Sequence, residues 1–468
     1  MSFDSLPFLV FFVLLYVAVR VCPSTGRLRT CWPSSGWLLL AASAVCYAFA
    51  GFSDTLLFTI VILVNYLISL RLAPGGRGML AVAIAFNAAV LIGFKYRNFL
   101  FGLDPASGSY AAAVSIPLGI SFYTFQSVAY LTDVYRGEIK AERSLQRFAL
   151  FKSFFPQLVA GPIVRAHLLL PQVQRLFAGT LRPSRLVGFG LCLCLVGLIK
   201  KVVLADSIAP VVDDIFDRGP ADAATAWLGV LLFAFQIYFD FSGYSDMAVG
   251  MARMLSVRLP VNFRTPYLAT SPRDFWQRWH VTLSTWIRDY LYVPLGGSRT
   301  GGAVRQAAVL VVVMGLAGLW HGANWTFLVW GLLWGAVIAA WRVAMSGKLC
   351  MPAIAGWALT MLAVLTLWVF FRAPDVGFAV RFLGAMTGMG GLGPASMART
   401  VAEVVVAVSA VAALFALHVA ESRAMTPRLP LFVRRWDGPT TRGILVALIA
   451  WLLILPKANV NPFIYFRF

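Results

Sequence analysis

A chain of 468 residues in which 60% are hydrophobic and only 12% charged lies outside the soluble globular class, which carries about twice that charge. Its mean hydropathy is +0.80. At roughly 20 residues per span, and with loops between them, the reading is an all-α polytopic membrane protein of about 11–12 transmembrane helices.

In chain order, apolar runs predict spans near 3–21, 37–53, 55–72, 78–95, 114–131, 186–204, 224–251, 303–322, 324–343, 353–371, 400–420 and 442–457. The first run carries Asp4 where a signal peptide would carry basic residues, and it reads as a span. Two further stretches, 148–165 and 271–295, are amphipathic and broken by Pro156, Pro162, Pro272 and Pro294, as re-entrant or interfacial helices are. Irregular backbone survives at membrane depth only where protein or a water cavity surrounds it. The run 384–394, with Gly384, Gly388, Gly390, Gly391 and Gly393, reads as a loop and not a phosphate cradle, because no strand precedes it and no Lys-Ser/Thr follows. No fixed-period repeat divides the chain, so residues 1–468 read as a single membrane-embedded domain.

The net charge of +20 would suggest nucleic acid in a soluble protein, but the basic residues cluster in short connections between spans. With the N-terminus outside, 29 of the 39 Lys and Arg residues fall on one side, which the positive-inside rule makes cytoplasmic. The connection 205–222, with Asp206, Asp213, Asp214, Asp217 and Asp222, falls on the opposite face as an outside loop.

Ionisable groups within apolar surroundings are functional candidates by default, since they are costly there. His321, in Gly-Leu-Trp-His-Gly-Ala-Asn-Trp at 318–325, has the chemistry of a base that accepts a hydroxyl proton and returns it to a leaving group. Asn324 would share its face if the stretch were helical, and with Trp320 it is a candidate to orient the ring or hold an oxyanion. The bland alternative is a histidine bonded to a helix-end carbonyl. His280, in Phe-Trp-Gln-Arg-Trp-His at 275–280, stands in a basic, aromatic stretch with Arg278, Arg288 and Asp289, of which Arg278 and Asp289 are further supporting or orienting candidates. Catalysis, donor-side binding and structural bracing all remain open for it. Asp240 and Asp246 read as partners of inside arginines, and His167 and His418 as satisfied or solvated side chains.

The six cysteines (Cys22, Cys31, Cys46, Cys192, Cys194 and Cys350) are scattered and read as core thiols. With four widely spaced histidines, no metal site is proposed. Neither G-x-S-x-G nor S-x-x-K occurs, which favours direct attack by a base-activated acceptor over an acyl-serine.

Asp-Phe-Trp-Gln-Arg-Trp-His (274–280), Leu-Ser-Thr-Trp-Ile-Arg-Asp-Tyr-Leu-Tyr-Val-Pro-Leu-Gly-Gly (283–297) and Gly-Leu-Trp-His-Gly-Ala-Asn-Trp strongly resemble the membrane-bound O-acyltransferase family. Ser-Phe-Tyr-Thr-Phe-Gln-Ser (121–127), Phe-Pro-Gln-Leu-Val-Ala-Gly-Pro-Ile (155–163), Asp-Phe-Ser-Gly-Tyr-Ser-Asp-Met-Ala (240–248) and the ending Pro-Phe-Ile-Tyr-Phe (462–466) resemble its bacterial alginate O-acetyltransferase branch. Arg467 departs from the neutral residue common before the final Phe.

The resemblance implies helices around a central tunnel, a cytoplasmic acyl donor and a periplasmic acceptor. It puts His321 on the family's catalytic histidine and His280 on its second characteristic histidine. Acetyl-coenzyme A, or another acyl thioester, is then the donor substrate and no permanently bound cofactor is expected. Arginines between 253 and 305 are candidates for its phosphates. Expected partners are periplasmic acetyltransferases and an exported polysaccharide, with the bacterial inner membrane as location. The alternatives are acyl or D-alanyl transfer to another envelope polymer, and a proton-coupled transporter or flippase using His321 and Asp240. Gly318 and Gly322 are expected to leave little bulk around the imidazole, with His280 towards the inside and His321 nearer the outside.

Overall fold

In lipid a chain segment must satisfy its own backbone, so long apolar runs fold as helices. The computed structural model describes residues 3–21, 34–102, 116–158, 161–180, 187–297, 302–346, 351–390, 401–424, 438–454 and 463, and among them every regular element is helical. Among the described residues seven helices are long and apolar enough to cross a membrane: Phe52–Arg71, Arg77–Phe101, Val187–Arg218, Ala223–Met254, Ala303–His321, Trp325–Ala344 and Ala353–Arg372. Five shorter apolar helices accompany them, Leu6–Arg20, Ser35–Ala48, Val376–Met386, Val408–Ser422 and Pro439–Ile454. All but one of the predicted runs fall on these helices. The exception, 114–131, gives Ile120–Tyr135, whose buried face carries Ser121, Thr124, Gln126, Ser127 and Asp133. These polar side chains make it less apolar than the spans.

Two compact units emerge, one of Met1–Leu198, Tyr244–Val261 and Phe432–Pro456, the other of Ile199–Gly243, Asn262–Leu431 and Lys457–Phe468. In the first, α1 (Leu6–Val21), α2 (Ser35–Ala48), α3 (Phe52–Arg71) and α4 (Arg77–Leu91) are followed by α5 (Ile120–Tyr135), α6 (Leu145–Ser153), α7 (Ala166–Phe177) and α8 (Val187–Leu198). Its interior is partly polar. Asn65 on α3 and Asn87 on α4 exchange amide hydrogen bonds of 3.3 and 2.7 Å. Lys152 on α6 is fully buried and donates to the Tyr123 carbonyl at 2.6 Å and Ser127 Oγ at 2.8 Å. This lysine, within the predicted broken stretch 148–165, belongs to the core. The proline-broken stretch 148–165 is indeed interrupted, with a single turn at Phe155–Leu158 after α6.

In the second unit a π-helical turn, Ile199–Ala205, leads into α9 (Asp206–Arg218). The aspartates expected in an outside loop therefore lie on a helix. Ala209, Val212, Ile215 and Phe216 form its buried face at helical spacing, an amphipathic pattern that the acidic residues obscured. The long α10 (Ala223–Met254) follows, its residues up to Gly243 in this unit and those from Tyr244 in the first, then the broken stretch of α11 (Pro272–Arg278), α12 (Val281–Ile287) and a π turn at Arg288–Tyr292. α13 (Ala303–His321), α14 (Trp325–Ala344), α15 (Ala353–Arg372), α16 (Val376–Met386) and α17 (Val401–Ala424) complete it. Arg372, at the end of α15, ties that helix to α9 through Asp213 at 2.9 Å and Asp217 at 3.4 Å. The last helix, α18 (Pro439–Ile454), belongs to the first unit. Cys22, Cys31 and Cys350, Gly391 and Gly393, and the C-terminal motif apart from Phe463 lie outside the described residues.

Candidate active site

Four glycines build the hairpin that carries His321. On α13 and α14 they stand where the two backbones touch: a Cβ at Gly318 would fall on the Phe327 carbonyl oxygen, and one at Gly331 on the Met314 carbonyl oxygen. Gly335 meets the Val311 backbone, and Gly315 the Leu332 side chain. Small residues at such a seam let helices approach closely where lipid supplies no hydrophobic drive between them. α13 ends at His321, Gly322 is extended, and Asn324 caps α14.

The His321 imidazole is buried inside aromatic rings. Its centroid lies 4.8 Å from Trp320, 5.1 Å from Trp330 and 5.1 Å from Phe371, with interplanar angles of 76°, 84° and 71°. Trp330 and Phe371 touch each other at 5.1 Å, and Trp368 stacks on Trp330 at 6.0 Å. The ring is thus confined on several sides in a dry setting, where an imidazole's hydrogen bonds and charge interactions are strongest. Sequence reading had found Trp320 but neither Trp330 nor Phe371, which reach the site from α14 and α15. The only available signal was the abundance of tryptophan in 320–334.

His280 lies close by. The Trp320 ring that packs on His321 is also 6.1 Å from His280, so the two histidines are a single indole apart. Adjacent Phe241 and Phe263 sit 4.8 and 6.4 Å from the His280 ring. His280 is fully buried, and neither ring nitrogen has a hydrogen-bond partner among the described residues. Burial lowers its pKa to about 3, leaving a neutral imidazole. Its backbone is left-handed, with φ of 41°, a conformation that costs a non-glycine residue energy and that the surroundings must impose. Asn262 helps impose it: its carbonyl accepts from Val281 N at 2.8 Å and its side-chain oxygen from Thr282 Oγ1 at 2.7 Å.

The other candidates are engaged elsewhere. Asn324 accepts from Thr326 N at 3.1 Å and donates to the Pro374 carbonyl at 3.0 Å. Because the helix stops at His321, Asn324 does not share a helical face with it, and its amide serves as a cap and a strut. Arg278 pairs with Asp274 at 2.8 Å, and Asp289 with Arg288 at 2.7 Å, each within its own segment.

Asp240 pairs with a lysine: Lys201 Nζ lies 2.7 Å from both Asp240 and Asp206. The adjacent Lys200 pairs with Glu421, which also accepts from the Tyr238 hydroxyl at 2.6 Å. His418 is buried beside this group; its Nε2 accepts from Tyr267 N at 3.2 Å, and its Nδ1 is 3.8 Å from Glu421. The π turn directs two consecutive lysines inward, which a regular α-helix would not do as readily. Two lysines inside the predicted span 186–204 were the signal for this cluster, and it went unread. Asp246 lies in the first unit, and His167 on α7. A cavity of about 550 Å³ in the second unit is lined by side chains such as Leu228, Met361 and Phe415, and by neither His280 nor His321.

The profile of the membrane-bound O-acyltransferase family matches residues 136–347, which contain both histidines. The chain is 36% identical to the probable alginate O-acetylase of Pseudomonas putida across the full length of both proteins. It is 39% identical to the probable alginate O-acetylase of Azotobacter vinelandii over 83% of this chain and 79% of that one. The peptidoglycan O-acetyltransferase of Helicobacter pylori is 36% identical over 76% of this chain and 74% of its own. With an all-helical structure, membrane-spanning helices and relatives matched over most of their length, the chain belongs to the membrane-bound O-acyltransferase family and is a membrane-embedded O-acyltransferase.

Proposed function

We propose that this enzyme takes acetyl groups from a cytoplasmic thioester, acetyl-coenzyme A, and relays them across the bacterial inner membrane for O-acetylation of an exported polysaccharide, alginate or a related polymer. His321 is the general base. It removes the proton of the acceptor hydroxyl as that oxygen attacks the thioester carbon, and it returns the proton to the departing thiolate. His280, neutral and one indole away, is the second site residue and faces the donor. The observation that carries this reading is the buried His321 imidazole boxed by Trp320, Trp330 and Phe371 at the end of a glycine-packed hairpin.

Alginate is favoured as polymer by the relatives' names, and the Helicobacter relative is named for another envelope polymer, peptidoglycan. Periplasmic acetyltransferase partners are the proposed immediate acceptors. The basic excess on one side supports delivery of the anionic donor there, with the thin thioester arm entering the protein.

The test uses oriented proteoliposomes with acetyl-coenzyme A at the basic face only, and deacetylated alginate and the partner acetyltransferases at the other. Free thiol is expected on the first side and acetyl ester on the second. Ester formation only when donor and polymer share one side would overturn the relay, and movement of an acetylated substrate without thiol release would identify a transporter.

A further inference from the structure

We propose that Trp330 is a further catalytic residue, its indole N–H donating a hydrogen bond to the acyl carbonyl oxygen as that oxygen becomes an oxyanion. The inference rests on the assignment of His321 as the base.

Buried donors are normally paired, and a cluster of unpaired ones needs an explanation. Trp330, Trp334 and Trp368 are each no more than 1% exposed, and none of their indole nitrogens has a hydrogen-bond partner among the described residues. They form one connected group. Trp368 stacks on Trp330 at 6.0 Å, and Trp276 joins Trp330 at 5.9 Å to Trp334 at 5.3 Å.

Position separates the three. Trp330 packs directly on the His321 ring, 5.1 Å away at 84°. Trp334, one turn further along α14, packs instead on Phe275 at 5.2 Å and on Trp276. Trp368 lies behind Trp330 and packs edge-on against Phe371 at 5.2 Å. Among these donors, Trp330 is therefore the one set beside the base.

The chemistry selects the ligand atom. An indole offers one N–H and accepts nothing, so it suits an oxygen that gains negative charge and not a cation or another donor. When the acceptor oxygen bonds to the acyl carbon, the carbonyl π pair moves onto its oxygen and the hydroxyl proton moves to His321. Collapse reforms the C=O bond, breaks the C–S bond and sends the proton from His321 to the thiolate. A donor helps most if it is fixed before the charge forms. Trp330 is fixed by the Trp368 stack, by Phe371 and by Gly331 beside it, whose missing side chain seats α14 on the Met314 backbone.

The experiment compares Trp330→Phe, Trp334→Phe and His321→Ala in purified enzyme assayed for thiol release from acetyl-coenzyme A. For Trp330→Phe, kcat is expected to fall about 10²-fold, the usual cost of losing one oxyanion donor, with the donor KM and melting temperature near wild type. Trp334→Phe is expected to stay within about twofold on all three measures, because its N–H lies away from the base. An unchanged kcat in Trp330→Phe, or equal losses in both tryptophan variants, would overturn the proposal. If His321→Ala is inactive while Trp330→Phe is normal, only this inference fails; an active His321→Ala removes the reading beneath it. Should Trp330→Phe fold poorly, site-specific benzothienylalanine at 330 keeps the bicyclic shape without the N–H and must show the same loss of kcat.

Discussion

Lys201 and Asp240 form an ion pair of 2.7 Å with both side chains almost wholly buried, and Asp206 closes on the same ammonium at 2.7 Å. One cation therefore neutralises two carboxylates, joining the π turn, α9 and α10. Removing one member of a buried pair is costlier than the pair's own net contribution, about 3–5 kcal/mol, because a charge is left without a partner. Lys201→Met takes one ammonium from two carboxylates at once, whereas Asp240→Asn leaves Lys201 its Asp206. The lysine variant is thus expected to melt well below the asparagine variant in detergent. Equal melting temperatures would mean that the cluster is hydrated and loosely held.

The glycine seam makes a sharper structural prediction. Gly331→Leu drives a side chain into the Met314 backbone, and the expected outcome is loss of folded protein or of all activity, whereas Gly302→Ala, in open space ahead of α13, should be silent. Tryptophan fluorescence and size-exclusion profiles check both. Gly322 faces an aromatic ring and not open space. A Cβ there meets the Phe327 ring, so a bulky residue would displace Phe327 from its contact with Phe371 before it filled any passage.

Asn324→Ala separates a cap from a catalytic amide. Loss of the Thr326 cap and the Pro374 strut should cost about 1 kcal/mol of stability. The folded fraction should retain kcat within about threefold, where loss of an oxyanion donor would lower it about 10²-fold. A large fall in kcat at unchanged melting temperature would return Asn324 to the chemistry.

Sequence alone located the helices well because lipid permits few alternatives, and hydrophobic run length reports a span directly. It erred where polarity and helicity coexist. The aspartates of α9 were read as loop because their apolar neighbours recur every three or four residues instead of continuously, and the burial of Lys152 went unseen because a charge count carries no burial. His321 and His280 were legible as rare ionisable groups within specific motifs. The aromatic box was not, since Trp330 and Phe371 look like ordinary span residues until α14 and α15 fold against α13.

Topology follows from the bias of basic residues to one side. A single cysteine replacing exposed Asp214 on α9 should react with an impermeant maleimide in intact cells, and one replacing exposed Arg305 near the start of α13 should react only after permeabilisation. The reverse pattern would invert the chain and the direction of transfer with it.

The central claim is that His321 moves the proton in acyl transfer, and the most direct measurement is single-turnover thiol release by purified His321→Ala beside wild type, with bound acetyl-coenzyme A quantified in the same samples. The account predicts donor binding near wild type and a rate lower by about 10²–10⁴-fold, the contribution of one general base. Thiol release and ester formation at the wild-type rate in that variant would contradict it.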